Sequence, residues 1–344
     1  MDERMNRASR IGVVVIGRNE GERLKRCLRA LPRGYPVVYV DSGSTDGSVD
    51  FGHSVGVSVV ELDMSVPFTA ARARNAGWRL LIEGNHDLEF IQFVDGDCEI
   101  DQSWFASAEA ALRTEPSVAA VFGRLRERFP NRSLYNQICD EEWNVPVGIV
   151  DHCGGNAMIR LSAIKAVAGF NDQFIAGEEP DLCLRMRNIG FRIRRIDAEM
   201  GFHDAAMFTF GSWWKRTKRG GYAYAEHVWR HRSMSFPAWK RQLGSMIFWT
   251  FGLPTLIIAL LIVAMQRPLC AIGMGCLIWA LLYAFQISRV ANRKIQNGVS
   301  RTHAIRSAAF LMIGKIPQMI GALTLLVNIL QRKRQTLIEH RAGT

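Results

Sequence analysis

Short apolar runs alternate with amphipathic stretches along the first hundred residues. The run IGVVVI at Ile11–Ile16 is β-branched and apolar on both faces, which is typical of a parallel strand covered by helices. The following NEGERLKRCLRAL carries apolar residues at helical spacing, and PVVYV then predicts a second strand at Val37–Val40. Strand, helix and strand form a βαβ unit, so this part of the chain is predicted to be an α/β domain.

The same alternation continues with shorter elements up to about Ile196. VSVVEL at Val57–Leu62 predicts a third strand, FTAARARNAGWRLLIEG a helix over Thr69–Ile82, and EFIQFV a fourth strand. Further on, VAAVFGRLRERF predicts a strand, the segment from Asp151 to Phe170 a strand and then a helix, and EEPDLCLRMRNIG a helix that ends at Gly190. Polar motifs follow several of these strands, at the edge where open α/β sheets bind ligands.

The last third of the chain is dominated by long apolar runs. Met246–Met265 has no charged residue over about 20 residues, the length that crosses a bilayer, and Pro268–Ser288 repeats this feature after a short turn. These two runs predict a transmembrane hairpin. A third run, Ala308–Leu330, contains Lys315 and Pro317 and is flanked by basic residues, which favours an interfacial or re-entrant helix over a third crossing.

The segment between the α/β part and the hairpin mixes aromatic and basic residues. FTFGSWWKRTKRGGYAYAEHVWRHR is typical of an amphipathic helix that lies on anionic lipid. We therefore predict four parts: a catalytic domain over 8–205, an amphipathic interfacial segment over 206–245, a transmembrane hairpin over 246–288, and an interfacial or third membrane helix over 305–335.

The charge distribution supports a membrane location. The chain of 344 residues has a formal charge of +11, and its basic residues cluster at Trp214–Arg241, Arg289–Arg306 and Arg332–Arg341, next to the apolar runs. We interpret these clusters as membrane-facing and expect no nucleic-acid partner.

Cysteine spacing and the N-terminal residues indicate the compartment. The seven cysteines form no CxxC pair, which fits a reduced, cytosolic environment, and MDERMNRASR leads into an apolar run too short for a signal peptide. We therefore expect a multi-pass protein of the inner (plasma) membrane with its catalytic domain in the cytoplasm.

Two carboxylates follow the fourth predicted strand, in the motif FVDGD. Asp95 and Asp97 can present both carboxylates to one divalent cation, or one to a cation and one to a hydroxyl. The alternative is a turn in which the acids merely cap the strand end. Three further features add to the pattern: Asp41 ends an earlier strand, ARARNAG supplies arginines, and AGEEPDL adds three acids.

The order and spacing of these motifs resemble family 2 glycosyltransferases, the inverting nucleotide-sugar enzymes of the GT-A fold. The resemblance covers about Ile11–His203 and runs through VVVIGRNEGERLKRCL, VDSGSTDGS, ARARNAG, FVDGD, GGNAMIR and GEEPDLCLRMR. It implies an α/β fold with a mostly parallel, Rossmann-like sheet flanked by helices. It also implies a nucleotide-diphospho-sugar donor and a saccharide acceptor, which the membrane part suggests is lipid-linked.

The resemblance assigns roles to the residues of the donor pocket. It implies that Asp41 lies by the nucleotide base, that Arg74 lines the pocket, and that Gly17 and Glu20 lie at the mouth of the first strand. Asp95 would contact the ribose or the metal. Each of these residues also has an explanation without a role in donor binding. Asp41 could cap a turn, Arg74 could lie on a solvated helix face, and Glu20 could be an acid in the first turn of a helix.

The metal ligands and the catalytic base are implied in the same way. Asp97 is similar to the carboxylate that holds Mg²⁺ or Mn²⁺ on the diphosphate, and His203 to the late histidine that completes the metal shell. Glu179 stands where the family usually has the Asp of a Glu-Asp pair, the base that deprotonates the acceptor. Because the pair here is Glu-Glu, Asp181 is kept as an alternative base, and an acidic helix start explains both without catalysis.

The segment GGNAMIR resembles the part of the family that lies near the acceptor sugar. It contains Gly154, Gly155 and Asn156, and the two glycines could equally mark a bulge. Two other functions are also open: a haloacid-dehalogenase-like phosphatase with Asp95 as nucleophile, and a non-catalytic nucleotide-sugar-binding membrane scaffold. The first leaves VDSGSTDGS and the Glu-Glu pair without roles, and the second would follow if Glu179 were not a base.

Overall fold

The computed structural model describes residues 10–84, 87–234, 236–266 and 268–331. The chain divides into two compact units, and the boundary lies between Met207 and Phe208. We call them unit 1, which ends at Met207, and unit 2, which begins at Phe208. The predicted basic cluster at 332–341 and the ends of the predicted 8–205 and 305–335 segments lie outside the described residues.

One half of the unit 1 sheet consists of parallel strands joined by helices. Its elements are β1 Ile11–Gly17, α1 Glu22–Ala30, β2 Val37–Asp41, α2 Ser48–Ser54, β3 Ser58–Glu61, α3 Ala70–Gly84 and β4 Phe90–Asp95. The spatial order is β3-β2-β1-β4, with every neighbouring pair parallel. The apolar runs are strands here because β1 and β4 are buried on both faces.

The other half of the sheet is mixed. It contains β5 Cys98–Ile100, α4 Gln102–Thr114, β6 Val118–Glu127, α5 Leu134–Glu142, β7 Gly148–Val150, β8 Ala157–Arg160, α6 Leu161–Ala166, α7 Glu178–Asn188 and β9 Arg192–His203. The order continues from β4 through β8, β6 and β9 to β5, and β7 also pairs with β9. Strand β8 is antiparallel to both β4 and β6, whereas β6 and β9 are parallel. The sheet is therefore parallel on one side and mixed on the other.

The predicted strands and helices are all present, with bounds shifted by a few residues. Elements α2, β5, α4, α5, β7 and β9 were not predicted. Helix α4 has a clear sequence signal, because the Asp101 side chain accepts a hydrogen bond from the Ser103 N–H and the buried Trp104, Phe105, Ala108 and Leu112 have helical spacing.

Unit 2 is helical throughout its described residues. Its helices are α8 Phe210–His231, α9 Pro237–Ile247, α10 Leu253–Met265, α11 Pro268–Gln296, α12 Arg301–Ile313 and α13 Lys315–Leu330. Three stretches are long and apolar enough to cross a membrane: Pro237–Ala264, Leu269–Gln296 and Arg301–Leu330. The third stretch matches the run for which an interfacial helix was favoured, and its length and composition also permit a crossing.

Helices α8 and α13 pack with their backbones in close contact. A Cβ atom on Gly221 would lie 1.9 Å from the Gln318 carbonyl oxygen, and one on Gly321 would lie 2.0 Å from the Lys218 carbonyl oxygen. Only glycine fits at both positions, as in the small-residue contacts of membrane helices.

This packing changes the interpretation of the amphipathic segment. Trp213 and Tyr222 are buried within unit 2, and the Trp213 ring packs edge-on against Phe310 at 4.9 Å. Trp229 and Phe210, in contrast, are exposed. Part of the aromatic content of α8 therefore serves the core of unit 2, because a helix that carries two apolar faces can bury one of them against protein.

Candidate functional site

The loops after β1 and β2 are joined at the carboxyl edge of the parallel strands. The backbone N–H of Asn19 donates to the Ser44 hydroxyl, and the Asn19 side-chain oxygen accepts from the Thr45 N–H. The Gly21 N–H donates to Asp46 at 2.8 Å. Asn19 has a φ of +52°, a conformation that Asn tolerates better than most residues. The two loops therefore form one connected rim.

Asp41, predicted to lie by the nucleotide base, holds the turn after β2. Its carboxylate accepts from the Tyr39 hydroxyl at 2.6 Å and from the backbone N–H groups of Gly43 and Ser44 at 2.8 and 2.7 Å. The side chain is fully buried. The turn-cap explanation thus describes these contacts, and Asp41 fixes the shape of the rim.

Gly17 and Glu20 lie at the end of β1, as predicted. Glu20 forms an ion pair with Arg23 at 2.9 Å, and the space beside Gly17 is bordered by the Tyr39 ring and the Glu20 side chain. Gly96, between the two FVDGD carboxylates, lies against the Ile16 carbonyl oxygen. The strand ends of β1 and β4 are therefore in direct contact at this edge.

The Asp95 carboxylate is held on both of its oxygen atoms. Arg74 donates to Oδ1 at 2.9 Å, and the Asn156 side-chain amide donates to Oδ2 at 3.1 Å. Asn156 also accepts from the Asp95 backbone N–H at 3.0 Å, so one amide fixes both the strand end and its side chain. Asn156 was predicted to lie near the acceptor; its observed contacts are with Asp95.

The two glycines before Asn156 differ sharply in their surroundings. A Cβ atom on Gly155 would lie 2.4 Å from Arg74 Nη2 and 2.5 Å from Asp95 Oδ2, whereas one on Gly154 would meet no atom within 4 Å. Gly155 is therefore required by the Arg74–Asp95 contact, and Gly154 is not.

We expect Gly155→Ala to lower transferase activity at least about tenfold, because the added methyl group pushes the buried Arg74 away from the partly exposed Asp95, and this ion pair positions the site. Gly154→Ala is the matched control and is expected to retain activity. Initial rates and thermal unfolding of both variants check this. Equal rates in the two variants would show that the Arg74–Asp95 contact does not matter for turnover.

Arg74 also joins the FVDGD motif to the Glu-Glu pair. Its guanidinium lies 2.8 Å from a Glu178 carboxylate oxygen and 3.0 Å from one of Glu179. Arg74 is 2% exposed, so a single buried cation serves three carboxylates. Since one positive charge cannot neutralise three negative ones, this cluster favours a proton on one of the acids.

The surroundings of Glu179 raise the pKa of its carboxyl group. Burial raises its pKa, the neighbouring Glu178 raises it further, and Arg74 lowers it, with a resulting pKa of about 7. A carboxylate with a pKa near neutrality is suited to accept a proton from a hydroxyl group. Glu178 was not assigned a role from the sequence, and only its contact with Arg74 in the fold identifies it.

Asp181, the alternative base, has a different environment. It is fully buried in the first turn of α7, and its Oδ2 accepts from Arg185 at 2.7 and 2.9 Å. Arg185 in turn donates to the carbonyl oxygens of Val167 and Gly169. Asp181 therefore links α7 to the loop after α6.

Asp97 and His203 come together from strands far apart in sequence. Their side chains are 2.9 Å apart, between Asp97 Oδ2 and His203 Nε2, because β5 pairs with β9 and sets Cys98 opposite His203. Ligand atoms of Asp97, Cys98 and His203 all lie within 4.8 Å of one another. Carboxylate oxygen and imidazole nitrogen suit Mn²⁺ and Mg²⁺, whereas a buried thiol with a strongly raised pKa does not. Asp97 and His203 thus fit a divalent ion.

The ring of His203 is fixed by an aromatic residue that the sequence did not indicate. Trp143, directly after α5, stacks on His203 with ring centroids 4.3 Å apart and an interplanar angle of 18°. Helix α5 is anchored by Asn136, which binds Glu127 and the Met207 N–H. No spacing rule connects residue 143 with residue 203, so only the fold brings them together.

Comparison with known proteins gives two overlapping family matches. The family described as Glycosyl transferase family 2 matches residues 12–167, and Glycosyl transferase family group 2 matches residues 122–287. Among curated proteins, the pre-mycofactocin glycosyltransferase of Mycobacterium tuberculosis is 28% identical over 208 residues. That match covers 56% of this chain, and the chain spans 42% of the length of that relative.

Two solved structures are similar to this chain, and the first of them shares its fold. A mannosyltransferase from Pyrobaculum calidifontis in complex with GDP-Man and Mn²⁺ has a TM-score of 0.56 at 17% identity, covering 93% of this chain and 88% of its own. Glucosyl-3-phosphoglycerate synthase from Mycobacterium tuberculosis, in complex with Mn²⁺, UDP-Glc and glycerol 3-phosphate, has a TM-score of 0.48 at 18% identity over 66% of this chain and 82% of its own.

The mixed sheet, with acids at the carboxyl ends of its strands, is the GT-A fold, and the family models that match residues 12–287 are those of glycosyltransferases. The chain belongs to family 2 of the glycosyltransferases. The predicted fold class and enzyme class are therefore confirmed. Family membership favours this activity over both the phosphatase and the scaffold hypotheses.

Proposed function

We propose that the protein is a metal-dependent, inverting glycosyltransferase that moves a sugar from a nucleotide-diphosphate donor to a lipid-linked saccharide at a membrane. The observation that carries this proposal is the buried group formed by Arg74 with Asp95, Glu178 and Glu179. Through Arg74, this group connects Asp95, which is suited to contact the donor or the cation, with Glu179, which is suited to act as a base.

The donor would lie along the rim formed by the loops after β1, β2 and β4. Asp41 and Glu20 border the nucleotide there, and Asp95, fixed by Arg74 and Asn156, faces the ribose or the cation. Because Asp95 is oriented before the donor arrives, little conformational entropy is lost on binding. Gly155 keeps the space that this arrangement needs.

Asp97 and His203 would hold the divalent ion, with Asp95 as a further ligand. When bound, Mg²⁺ or Mn²⁺ supplies positive charge against the diphosphate leaving group. The stacking of Trp143 on His203 restricts the ring to an orientation in which Nε2 points at Asp97. Orientation of a histidine ligand by its surroundings is common in protein metal sites.

Glu179 would take the proton from the acceptor hydroxyl as that oxygen attacks the anomeric carbon. Its pKa of about 7 lets it be ionised at neutral pH and still bind a proton strongly enough to assist the attack. Asp181 is less suited, because it is fully buried and bound to Arg185. Attack opposite the departing diphosphate inverts the configuration of the sugar.

Unit 2 would keep the enzyme at the inner membrane, with unit 1 in the cytoplasm. Its three long apolar helical stretches support membrane association. Its basic residues would contact anionic lipid, since they greatly outnumber the acidic ones in this part of the sequence. An enzyme held at the bilayer would encounter lipid-linked acceptors more readily than soluble ones.

A donor screen tests the proposal directly. We expect thermal unfolding of the purified full-length chain to shift to higher temperature with one class of sugar diphosphate among uridine, guanosine and thymidine nucleotides, and only when Mn²⁺ is present. Addition of a chelator should abolish the shift. Stabilisation by a donor in the presence of chelator would contradict metal dependence, and the absence of any donor response would contradict the proposed donor class.

A further inference from the structure

The beginning of α13 places a lysine in the interior of unit 2. Lys315 lies within the apolar run that ends at Leu330, and its side chain is 5% exposed. Among the described residues it forms no hydrogen bond and no ion pair. A cation enclosed in this way is costly unless a negative group approaches it.

In the part of unit 2 that the structure describes, no acidic side chain pairs with Lys315. A Cβ atom on Gly314, the residue before it, would lie 3.4 Å from the Thr217 methyl group of α8, and Thr217 lies in the basic sequence KRTKR. Between residues 208 and 331 the sequence has fifteen lysines and arginines but one acid, Glu226. That acid is fully buried and bound to Arg230 at 2.9 Å. The counter-charge for Lys315 must therefore come from outside this segment.

The helix face next to Lys315 indicates what kind of molecule brings that charge. Ile316, Ile320 and Leu323 of α13 are each 38% exposed and form an apolar surface that starts beside the lysine. These residues belong to the helical stretch Arg301–Leu330, which is long and apolar enough to cross a bilayer, and apolar side chains exposed on such a stretch would contact acyl chains. A ligand that fits both features has an anionic head and an apolar tail.

We propose that Lys315 binds the phosphate group of a membrane lipid whose acyl chains lie along Ile316 and Ile320. The phosphate supplies a negative charge that no acidic side chain among residues 208–331 brings to Lys315, and Lys is a common point-charge ligand for phosphate. The basic stretch of α8 next to Gly314 adds to the positive potential at this position. The site lies within unit 2 and does not depend on the proposed transfer reaction.

A purely structural role for Lys315 predicts a different behaviour. If the lysine only extends toward the bilayer surface, an uncharged residue of similar length would leave lipid binding unchanged. If it binds a phosphate, the same replacement removes the response to phosphate-bearing lipid. It would not reduce stability in lipid-free detergent, because an uncompensated buried charge is lost.

The test compares thermal unfolding of the full-length protein in dodecyl maltoside with three additions: dioleoyl phosphatidic acid, dioleoylglycerol and inorganic phosphate. The two lipids differ only in the phosphate group. We expect phosphatidic acid to raise the unfolding temperature by about 3 °C or more and the other two additions to have little effect. We expect Lys315→Met to lose most of this shift, whereas Lys240→Met, which replaces an exposed lysine on α9, retains it.

Each other outcome overturns a part of the proposal. Equal shifts in the wild type and in Lys315→Met would exclude Lys315 as the ligand. An equal effect of dioleoylglycerol would exclude recognition of phosphate, and an equal effect of inorganic phosphate would assign the site to a free anion. If Lys315→Met does not fold, Lys315→Gln takes its place, and native mass spectrometry should show one phosphatidic acid fewer bound than in the wild type.

Discussion

Replacing Glu179 with glutamine is expected to lower the turnover number by about 10²–10⁴-fold, the usual contribution of a general base. The amide keeps the size of the side chain and a hydrogen-bonding group near Arg74, but it cannot accept the acceptor's proton. Donor binding should change little, because the Asp97–His203 pair and the rim after β1 and β2 are untouched. The measurements are steady-state kinetics and donor titration by thermal shift.

The comparison with Asp181 separates the two possible bases. Asp181→Asn removes the ion pair with Arg185, so it should lower the unfolding temperature but leave the rate per folded molecule nearly unchanged. If Asp181→Asn, corrected for its folded fraction, loses as much rate as Glu179→Gln, the assignment of the base is wrong. An unchanged rate in Glu179→Gln would point to a base elsewhere, or to a protein whose turnover does not need one.

The raised pKa of Glu179 also determines how the rate should vary with pH. A raised pKa means that the carboxyl group keeps its proton to higher pH, and a protonated group cannot act as a base. The turnover number should therefore rise with pH, pass its midpoint near the pKa of about 7 and level off above it. Glu178→Gln removes a negative neighbour that raises this pKa, so its midpoint should lie at lower pH. A flat profile between pH 5 and 9 would contradict the role of Glu179.

Replacing Asp97 with asparagine should abolish metal-dependent donor binding and lower transfer by at least about 100-fold, since a neutral amide is a poor ligand for Mn²⁺ or Mg²⁺. Asp97 is 7% exposed and its Oδ2 lies 2.9 Å from His203 Nε2, so the two ligand atoms already converge. Loss of the Asp97 carboxylate leaves the His203 imidazole and the Asp95 carboxylate, which Arg74 and Asn156 already bind, to hold the ion. The measurement is the Mn²⁺ dependence of the donor-induced thermal shift.

The matched control for this variant is Glu99→Gln. Glu99 lies on the same short strand β5, but its carboxylate pairs with Arg26 and Arg128 instead of His203. Its replacement removes the same charge from the same neighbourhood, so the Mn²⁺ response should persist. A similar loss in both variants would show that general electrostatics, and not ligation by Asp97, governs the response to the metal ion.

The parallel half of the fold could be predicted from the sequence because each of its strands is a local apolar run. β1, β2 and β4 are buried on both faces. Their nearly continuous apolar sequences indicate this burial without information from the rest of the chain. The mixed half depends on pairing between distant segments. β5 has three residues, and its partner in β9 is about a hundred residues further along, so a local pattern cannot define it.

The residues of the candidate site also divide into those that local motifs predict and those that only the fold brings together. Asp95, Asp97 and Glu179 were predicted from short motifs, and the structure brings Asp95 and Glu179 together through Arg74. Asn156 was predicted for the acceptor side, but its amide holds Asp95, because β8 pairs with β4 and brings the two residues side by side. The contact of Trp143 with His203 joins a loop to a distant strand end, and a sequence pattern carries no information about it.

The glycine crossing of α8 and α13 has a consequence for how the chain is made. Gly221 and Gly321 are a hundred positions apart, and Gly221 lies on the earlier of the two helices. While α10 and α11 are being synthesised and inserted, α8 has no partner for this face. Helix α8 can pack against α13 only after the ribosome has passed Gly321. Premature release before that point would leave a membrane-inserted fragment in which this face of α8 is accessible to cellular quality control.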